Sequence, residues 1–426
     1  MVGDTEASKR PGLKPRAASR GTNQIGVRLY NERLVLSLIR RHGELPKADA
    51  ARMTGLSPQT ISIIMNQLTV DGLLTRGTPQ RGKVGQPLVP YSLDPEGALA
   101  FGLKIGRRSV DLYLINFTGE ILKLLHKTYR YPTPDGIRRF ALEGIQELLK
   151  GLPERLSKRI SGLGIAAPYE MWTWHEEIGA PRDEIDAWRD IDMRAMMAEI
   201  CPWPVYFAND ITAACAAELM FGIGSEHPDY LYVFIGSFIG GGLVLDGHLF
   251  PGRTQNAGAL GSMPAPGMAP NRGLHAAQLV NVASIYVLER KLIAKGRDAS
   301  MLWQSPDDWG DDLGSALDEW IEEVATSVAY SIVSAIAVVD VEAIIIDGAF
   351  PVTVRRRIIE RTRLALERVN QLGLSPFRLV EGSIGNAARA IGGASLPLLG
   401  NFTQDREVLF KDVAPSGTFG RPGRGA

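Results

Sequence analysis

The chain has 426 residues, of which 45% are hydrophobic and 22% are charged. These values lie near the average of globular proteins and exclude a wholly disordered, collagen-like or disulfide-scaffold chain. The length predicts one to three domains. Cys201 and Cys215 are the only cysteines, and the six histidines are scattered. No pair has the spacing of metal ligands, so we expect no bound metal.

Two further features bear on where the protein works. The first residues, MVGDTEASKR, contain no apolar signal core, which predicts that the protein is not secreted. The most apolar stretch, 327–345, carries Asp340 and Glu342, so we expect no membrane span. A cytoplasmic location is therefore the expectation.

The net charge of zero conceals an uneven distribution. Residues 1–92 contain 14 Lys and Arg against 6 Asp and Glu, whereas residues 93–426 contain 33 against 41. A basic first quarter on an acidic remainder predicts that one end of the protein meets a polyanion.

The basic region has the pattern of a small helical domain. Residues 1–24 combine basic side chains with Gly, Pro and Ser and predict a disordered arm. Helices are predicted over 31–41 and 47–54, and a third begins at Ser57-Pro58, a good N-cap followed by a favoured first residue. In that third helix, four apolar residues with i, i+3, i+4, i+7 spacing predict a buried stripe: Ile61, Ile64, Met65 and Leu68.

Two strand-like segments, 73–77 and 88–92, flank a basic loop after the third helix. Three helices and a basic hairpin predict a winged helix-turn-helix over residues 25–93, which places the third helix in the major groove of double-stranded DNA. The predicted DNA contacts are the polar face of that helix and the hairpin: Gln59, Thr60, Ser62, Asn66, Arg76, Arg81 and Lys83. The alternative is a three-helix interaction module with a solvated charged face.

Beyond residue 94 strands alternate with helices, which predicts an α/β domain. Strands are predicted at 101–105, 110–116, 160–166, 205–207, 230–235, 242–245, 343–346 and 377–380. Helices are predicted at 136–150, 211–221, 316–338, 352–368 and 386–396. A module of strand, hairpin and helix thus occurs twice. The last residues, 411–426, resemble the basic arm and predict a disordered tail.

Asn209-Asp210 follows a predicted strand and begins a predicted helix. A carboxylate at this end of a strand is well placed to hold a ligand hydroxyl or to take its proton. The alternative is a plain helix cap. Trp172 and Trp174 are candidates for a platform under a sugar ring, or core residues. The glycine-rich stretch 236–247 lacks the ending of a P-loop and, taken alone, predicts a hairpin turn.

The order and spacing of several short segments resemble the ROK family in its repressor branch. They are the helix-turn-helix from NERLVLSLIRRHG, then GLGIAAP, FANDITAACAAE, FIGSFIGGGLVLDG and IIIDGAF. The resemblance covers about residues 25–400. It implies that residues 94–410 form a two-lobed, actin-like ATPase (ribonuclease H-like) domain related to bacterial sugar kinases, which assembles as a homodimer or homotetramer.

The departures from that family's kinases point away from catalysis. Where those kinases have an Asp-x-Gly-Gly-Thr phosphate loop, this chain has residues 104–108, Lys-Ile-Gly-Arg-Arg. Ala259 and Ser262 stand where the resemblance implies a sugar-binding Glu and a His. The cysteine-rich zinc segment that follows is replaced by residues with only His275. Phosphoryl transfer depends on positioning and neutralising the phosphoryl group, so we expect no kinase activity and no cofactor.

These observations predict a DNA-binding transcriptional regulator, a repressor of carbohydrate-related genes, that is not an enzyme. The resemblance implies a sugar or sugar derivative as effector, with Asn209, Asp210, Trp172 and Trp174 as its expected contacts. Two alternatives stay open: a regulator whose second domain only oligomerises, and an active sugar kinase with an added DNA-binding domain.

Overall fold

The computed structural model of the protein describes residues 24–79, 88–169, 171–174, 180–265, 277–310 and 313–404. An N-terminal domain with a small sheet is followed by two lobes, each built on a five-stranded sheet. The predicted arm lies outside the described residues except for Gln24, which already belongs to the first helix. The predicted domain boundaries and the tail stay predictions.

The described part of the N-terminal domain has three helices and three short strands. The helices are α1 (Gln24–His42), α2 (Lys47–Thr54) and α3 (Pro58–Val70). The strands are β1 (Glu44–Pro46), β2 (Leu74–Arg76) and β3 (Pro90–Leu93), in the antiparallel order β1-β3-β2. This arrangement confirms the predicted winged helix-turn-helix. The three-residue strand β1 was not predicted, because so short a segment shows no alternation.

Local sequence accounts for the position of α3. The side chain of Ser57 accepts a hydrogen bond from the backbone N–H of Thr60, at 3.1 Å, and Pro58 occupies the first turn. Gly55, in the left-handed region at φ 69°, ends the preceding helix, a conformation that suits a residue without a Cβ. The predicted apolar stripe of α3 is buried in the domain core.

The first lobe contains an edge strand that was not predicted. Its sheet has the order β6-β5-β4-β7-β8, with β7 and β8 parallel to β4 and the other pairs antiparallel. Both faces of β6 are largely exposed, so its sequence ILKLLHKT lacks a buried alternation. The strands are β4 (Leu99–Ile105), β5 (Ser109–Ile115), β6 (Ile121–Thr128), β7 (Ile160–Ala166) and β8 (Val205–Ala208). The helices are α4 (Pro134–Leu149), α5 (Glu154–Ser157), α6 (Arg182–Asp186) and α7 (Met193–Ala198).

The second lobe repeats this sheet. Its order is β11-β10-β9-β12-β13, with β12 and β13 continuing parallel to β9. The repeated module and the two-lobed fold are thereby confirmed. The strands are β9 (Tyr230–Ile235), β10 (Ile239–Leu245), β11 (His248–Leu249), β12 (Ala343–Gly348) and β13 (Arg378–Glu381). The helices after β8 are α8 (Asp210–Phe221), α9 (Val280–Ala283), α10 (Ile285–Ala294), α11 (Met301–Gln304), α12 (Gly314–Val339), α13 (Val352–Leu366) and α14 (Ala388–Phe402).

By length and composition, helix α12 is apolar enough to cross a membrane. Its apolar side chains, among them Trp320, Val324 and Val328, are buried in the core of the second lobe. The helix therefore has a packing role that accounts for its hydrophobicity.

Helices α8 and α14 pack against each other very closely. A Cβ placed on Gly392 would lie only 1.9 Å from the carbonyl oxygen of Ala213, so only glycine fits there. Helix α14 also continues past Pro397 to Phe402, whereas the sequence predicted its end at Leu396. Pro397 has no backbone N–H, so it cannot donate the usual helical hydrogen bond to the carbonyl of Gly393, four residues before it. That carbonyl instead lies against Gly164 of β7, where a Cβ would come within 1.8 Å, so the helix tolerates the proline.

Candidate ligand cleft and DNA interface

A cavity of about 420 Å³ lies in the cleft between the two lobes. Asn209 and Asp210 both lie on its wall, next to the Gly-rich turn at Ser237 and the segment at Ala259 and Ser262. Further polar groups on the wall come from Asn256, Gln278 and Asn281. The described wall of the cleft thus combines one carboxylate and several amides with the guanidinium groups of Arg107 and Arg389, groups that suit a hydroxylated ligand.

The two adjacent residues have different roles in the local structure. The side chain of Asn209 caps α8, because its Oδ1 accepts a hydrogen bond from the backbone N–H of Ile211 at 3.0 Å. Asp210 is the first residue of the helix and is only 6% exposed. Its Oδ2 lies 3.5 Å from Nη1 of Arg389, a long contact for an ion pair. The helix-cap alternative therefore describes Asn209, whereas the carboxylate of Asp210 has a single distant partner among the described side chains.

Burial controls the ionisation of this carboxyl. Removal from water raises the pKa of Asp210 above its ordinary value, while the charges of Arg389 and Lys104 oppose the rise. Arg389 comes from the start of α14 and lies over the ring of Phe234, 5.3 Å from its centre. Its Nε is buried without a hydrogen-bond partner among the described residues. Sequence reasoning missed Arg389, which belongs to no recognisable motif.

The residues in place of a phosphate loop are held by their own ion pairs. Nζ of Lys104 donates to Oδ2 of Asp111 and to Oγ of Ser109, each at 2.8 Å, and His126 contacts the other oxygen of Asp111. Burial lowers the pKa of Lys104. Although burial acts in the opposite direction, Lys104 and His126 hold the pKa of Asp111 well below its usual range. The buried ammonium group of Lys104 is thus paired with a carboxylate at this turn.

The adjacent arginines connect the two lobes. Nη1 of Arg107 donates to one oxygen of Glu289 at 2.5 Å, and Nη2 of Arg108 donates to the other at 2.9 Å. Glu289 belongs to α10 of the second lobe and is 6% exposed. Arg108 also lies 4.6 Å above the ring of Trp303. A second cavity, about 270 Å³, is lined by these same charged groups. Both arginines thus share one carboxylate of the second lobe.

The tryptophans predicted as ligand contacts lie elsewhere or are undescribed. Trp172 is partly buried and packs against the core of the first lobe, and it does not line the described wall of the cleft. Trp174 ends a short 3-10 helix, Met171–Trp174, and its side chain lies outside the described residues. Their stacking role stays a prediction.

His275 also lies outside the described residues. Within the described ranges no three His, Cys, Asp or Glu side chains lie together as metal ligands. The expectation of no bound metal stays a prediction.

The third helix presents the predicted polar face to solvent. Gln59 and Asn66 are exposed, whereas Thr60 and Ser62 are half-buried. Arg76 is exposed on β2. Arg81 and Lys83 fall within residues 80–87, outside the described part of the chain. The roles of these residues in binding DNA stay predictions.

One residue missed by sequence reasoning joins this face. Nζ of Lys47, the first residue of α2, donates to Oδ1 of Asn66 at 2.7 Å and to Oγ of Ser62 at 3.2 Å. Its position 19 residues before Asn66 gives no local signal of this contact.

The winged helix domain is packed against the base of both lobes. Nη1 of Arg40 in α1 donates to the carbonyl of Phe117 at 2.8 Å. Its guanidinium lies over two rings, 4.7 Å from the centre of Phe117 and 5.3 Å from that of Phe221 at the end of α8. Burial lowers the pKa of Arg40 to about 9. Phe402, at the end of α14, packs edge-on against Phe117. Both helices that begin at the cleft therefore end at the winged helix domain.

Comparison with known proteins agrees with this architecture. The model of the ROK family matches residues 100–299, and a winged helix-turn-helix DNA-binding model matches residues 28–75. The xylose repressor of Bacillus subtilis is 24% identical over 278 residues, which cover 63% of this chain and 71% of that protein. The transcriptional dual regulator NagC of Escherichia coli is 22% identical over 246 residues, 57% of this chain and 60% of its own.

Solved structures share the fold. A ROK family transcriptional regulator, described as a homologue of the E. coli MLC protein, aligns with a TM-score of 0.61 and 20% identity, covering 88% of this chain and 98% of its own. A ROK family glucokinase from Streptomyces griseus, in complex with glucose and AMPPNP, aligns with a TM-score of 0.53 and 20% identity over 70% of this chain and 99% of its own.

The fold and the relatives together define a DNA-binding transcriptional regulator whose second domain has the fold of sugar kinases. The chain contains a ROK family domain, which is preceded by an N-terminal winged helix-turn-helix.

Proposed function

We propose that the protein represses transcription by binding an operator through its winged helix domain, and that a sugar or sugar derivative in the interlobe cleft changes this binding. The observation that carries the proposal is the course of α8 and α14. Asp210 and Arg389 meet in the cleft at the starts of these helices. Phe221 and Phe402 contact the Arg40–Phe117 pair at their ends.

The cleft favours a hydroxylated ligand of modest size. Its volume of about 420 Å³ falls within the range of small-molecule sites. An ionised carboxylate accepts strong, charge-assisted hydrogen bonds from hydroxyl groups. The one hydrogen bond that Asp210 receives from a described side chain, that of Arg389, is long. Two relatives are named for xylose and N-acetylglucosamine, which supports monosaccharides or their derivatives as the ligand class. The small side chains of Ala259 and Ser262 leave room for a larger derivative.

The same geometry argues against phosphoryl transfer. A kinase needs groups that position and neutralise the transferred phosphate. In this chain the carboxylate of Glu289 pairs with Arg107 and Arg108 at the corresponding turn, and Lys104 is paired with Asp111. We therefore propose that the domain binds its ligand without reacting with it.

A ligand can shift the protein between two states only through its different affinity for them. We propose that closure of the lobes around the ligand moves the starts of α8 and α14, and that the rigid helices carry the movement to α1. In a homodimer or homotetramer in the cytoplasm, the spacing of the two winged helices would then change relative to the two half-sites of an operator.

The test uses duplexes selected by the full-length protein from a random library, and a panel of sugars that starts with xylose and N-acetylglucosamine. We expect one sugar to raise the melting temperature and to change DNA affinity. Asp210→Asn should weaken the sugar response roughly tenfold to hundredfold, the loss that follows from one hydrogen bond to a charged group. Operator affinity without sugar should stay unchanged.

Glu360→Gln is the matched control, because Glu360 is an exposed carboxylate on α13, away from the cleft. It should respond like the wild type. A wild-type protein that binds its duplex but ignores every sugar, with no change in melting temperature, would favour the alternative in which the second domain only oligomerises.

A further inference from the structure

We propose that Lys47 is a specificity-determining residue of the DNA interface. It fixes Asn66 and Ser62 so that this part of α3 offers mainly hydrogen-bond donors, and the resulting patch recognises the edge of a guanine. The inference rests on the proposed DNA binding through α3 and names the base that this surface selects.

The contacts of Lys47 place its ammonium group between three elements. Lys47 begins α2, and its Nζ lies 2.7 Å from Oδ1 of Asn66 and 3.2 Å from Oγ of Ser62, both on α3. The same Nζ lies 5.3 Å from the ring centre of Tyr91, a buried residue of β3. Ser62 and Asn66 are four residues apart and therefore lie on one side of the helix. The ammonium group is thus held in place beside the exposed face of α3.

The chemistry of these three groups determines what the face presents. An ammonium group has three donors and no acceptor. The carbonyl oxygen of Asn66 must therefore be the atom that faces Lys47, which leaves the amide N–H groups directed elsewhere. The hydroxyl oxygen of Ser62 likewise accepts from Lys47, so its own hydrogen is available for donation. Asn66 is exposed and Ser62 half-buried, which leaves the amide group accessible to DNA.

A donor patch discriminates between the base pairs of the major groove. Guanine presents two acceptors, O6 and N7, whereas adenine presents one acceptor and one donor, and cytosine presents a donor. An unrestrained Asn pairs with adenine by using both its carbonyl oxygen and its amide nitrogen. In this protein the carbonyl oxygen is already engaged in a charge-assisted bond to Lys47, which is stronger than a neutral one. The arrangement therefore favours guanine over adenine.

The experiment selects duplexes from a random library with the full-length protein at one fixed salt concentration. The wild type should select guanine at one position in each half-site. Lys47→Met removes the ammonium group and keeps an unbranched side chain, so it frees the carbonyl of Asn66. The ratio of guanine to adenine at that position should fall about tenfold, within the range for a good base contact.

Two further variants complete the design. Asn66→Asp replaces the outward donors with acceptors and should shift the preference from guanine toward cytosine. Arg52→Met is the matched control, because Arg52 is an exposed cation on the same helix, paired with Asp49. It should keep the wild-type base preference.

The outcomes distinguish failure of this inference from failure of the proposed function. If Lys47→Met weakens all duplexes alike and keeps the guanine preference, Lys47 is a phosphate contact and the inference is wrong. A wild type that selects adenine or cytosine, or an Asn66→Asp variant that still selects guanine, contradicts it equally. If the wild type selects no duplex at all, the proposed function fails, and the inference falls with it.

Discussion

Two buried carboxylates of the second domain show how differently the protein treats a charge removed from water. Asp347, at the end of β12, is completely buried and has four hydrogen-bond partners. Asp210, in the cleft, is almost as buried but has one side-chain contact, at 3.5 Å from Arg389. The first is fully hydrogen-bonded by the fold, whereas the second has one long side-chain contact among the described residues.

The partners of Asp347 explain its role. Nη1 of Arg355 donates to Oδ1 at 2.7 Å, and the backbone N–H of Gly348 donates to the same oxygen at 2.8 Å. Oδ2 accepts from the N–H of Gly385 at 2.8 Å and from the hydroxyl of Tyr232 at 3.1 Å. A buried charge costs little only when it is paired and fully hydrogen-bonded. The comparison indicates that Asp347 has a structural role, whereas Asp210 has fewer partners among the described residues, as the proposed ligand contact requires.

Substitution of Asp347 should have the largest effect on stability. Asp347→Asn leaves the buried guanidinium of Arg355 without its charge partner and turns an amide toward groups that are donors. We expect the free energy of unfolding to fall by about 3–5 kcal/mol, as for a broken buried ion pair. Urea denaturation followed by tryptophan fluorescence measures it.

Asp318→Asn is the control for this substitution. Asp318 is exposed and pairs with Arg357, from the same helix as Arg355, and exposed pairs contribute less than about 1 kcal/mol. Equal losses in the two variants would show that the partners of Asp347 confer no special stability.

Loss of the interlobe ion pairs should have an intermediate effect. Glu289→Gln removes the charge that holds Arg107 and Arg108 across the cleft, so we expect a loss of about 1.5–3 kcal/mol in the free energy of unfolding. Small-angle scattering should also report a larger radius of gyration, because the lobes lose a connection. The control is Glu323→Gln, whose partner Lys291 lies on the same helix as Glu289 but within one lobe. An unchanged radius in Glu289→Gln would exclude a role in holding the cleft closed.

The sequence predicts those parts of the molecule whose signals are local. The spacing of Ile61, Ile64, Met65 and Leu68 predicts the buried face of α3, and Asn209-Asp210 is found by its place between a strand and a helix. The partners of these groups leave no such pattern. Arg389 lies 179 residues from Asp210, and Glu289 lies 182 residues from Arg107. Only the fold brings them together, so the partners of Asp210 and Arg107 cannot be read from the sequence, although the sequence already predicts Asp210 as a ligand contact.

The smallest expected effect on stability is that of Asp210→Asn, and its dependence on pH sharpens the comparison with Asp347. Burial raises the pKa of Asp210 in the folded protein, so the folded state binds this proton more tightly than the unfolded chain does. The resulting stability is fully present below the unfolded pKa of about 3.9 and is lost as the pH rises through the folded pKa. Asparagine does not titrate. The free energy of unfolding of the variant should therefore increase relative to that of the wild type as the pH rises through this window. At neutral pH we expect the two free energies to differ by no more than about 1 kcal/mol.

Melting curves of both proteins from pH 4 to pH 8, without sugar, measure this difference. If the wild type instead gains stability over Asp210→Asn as the pH rises, the pKa of Asp210 is depressed by folding and the carboxylate is satisfied by Arg389. Asp210 would then be a structural ion pair of the same kind as Asp347. If the stability of the variant instead increases relative to the wild type, the fold buries the charge of Asp210 without fully compensating it. A hydroxylated ligand in the cleft could then supply the missing hydrogen bonds.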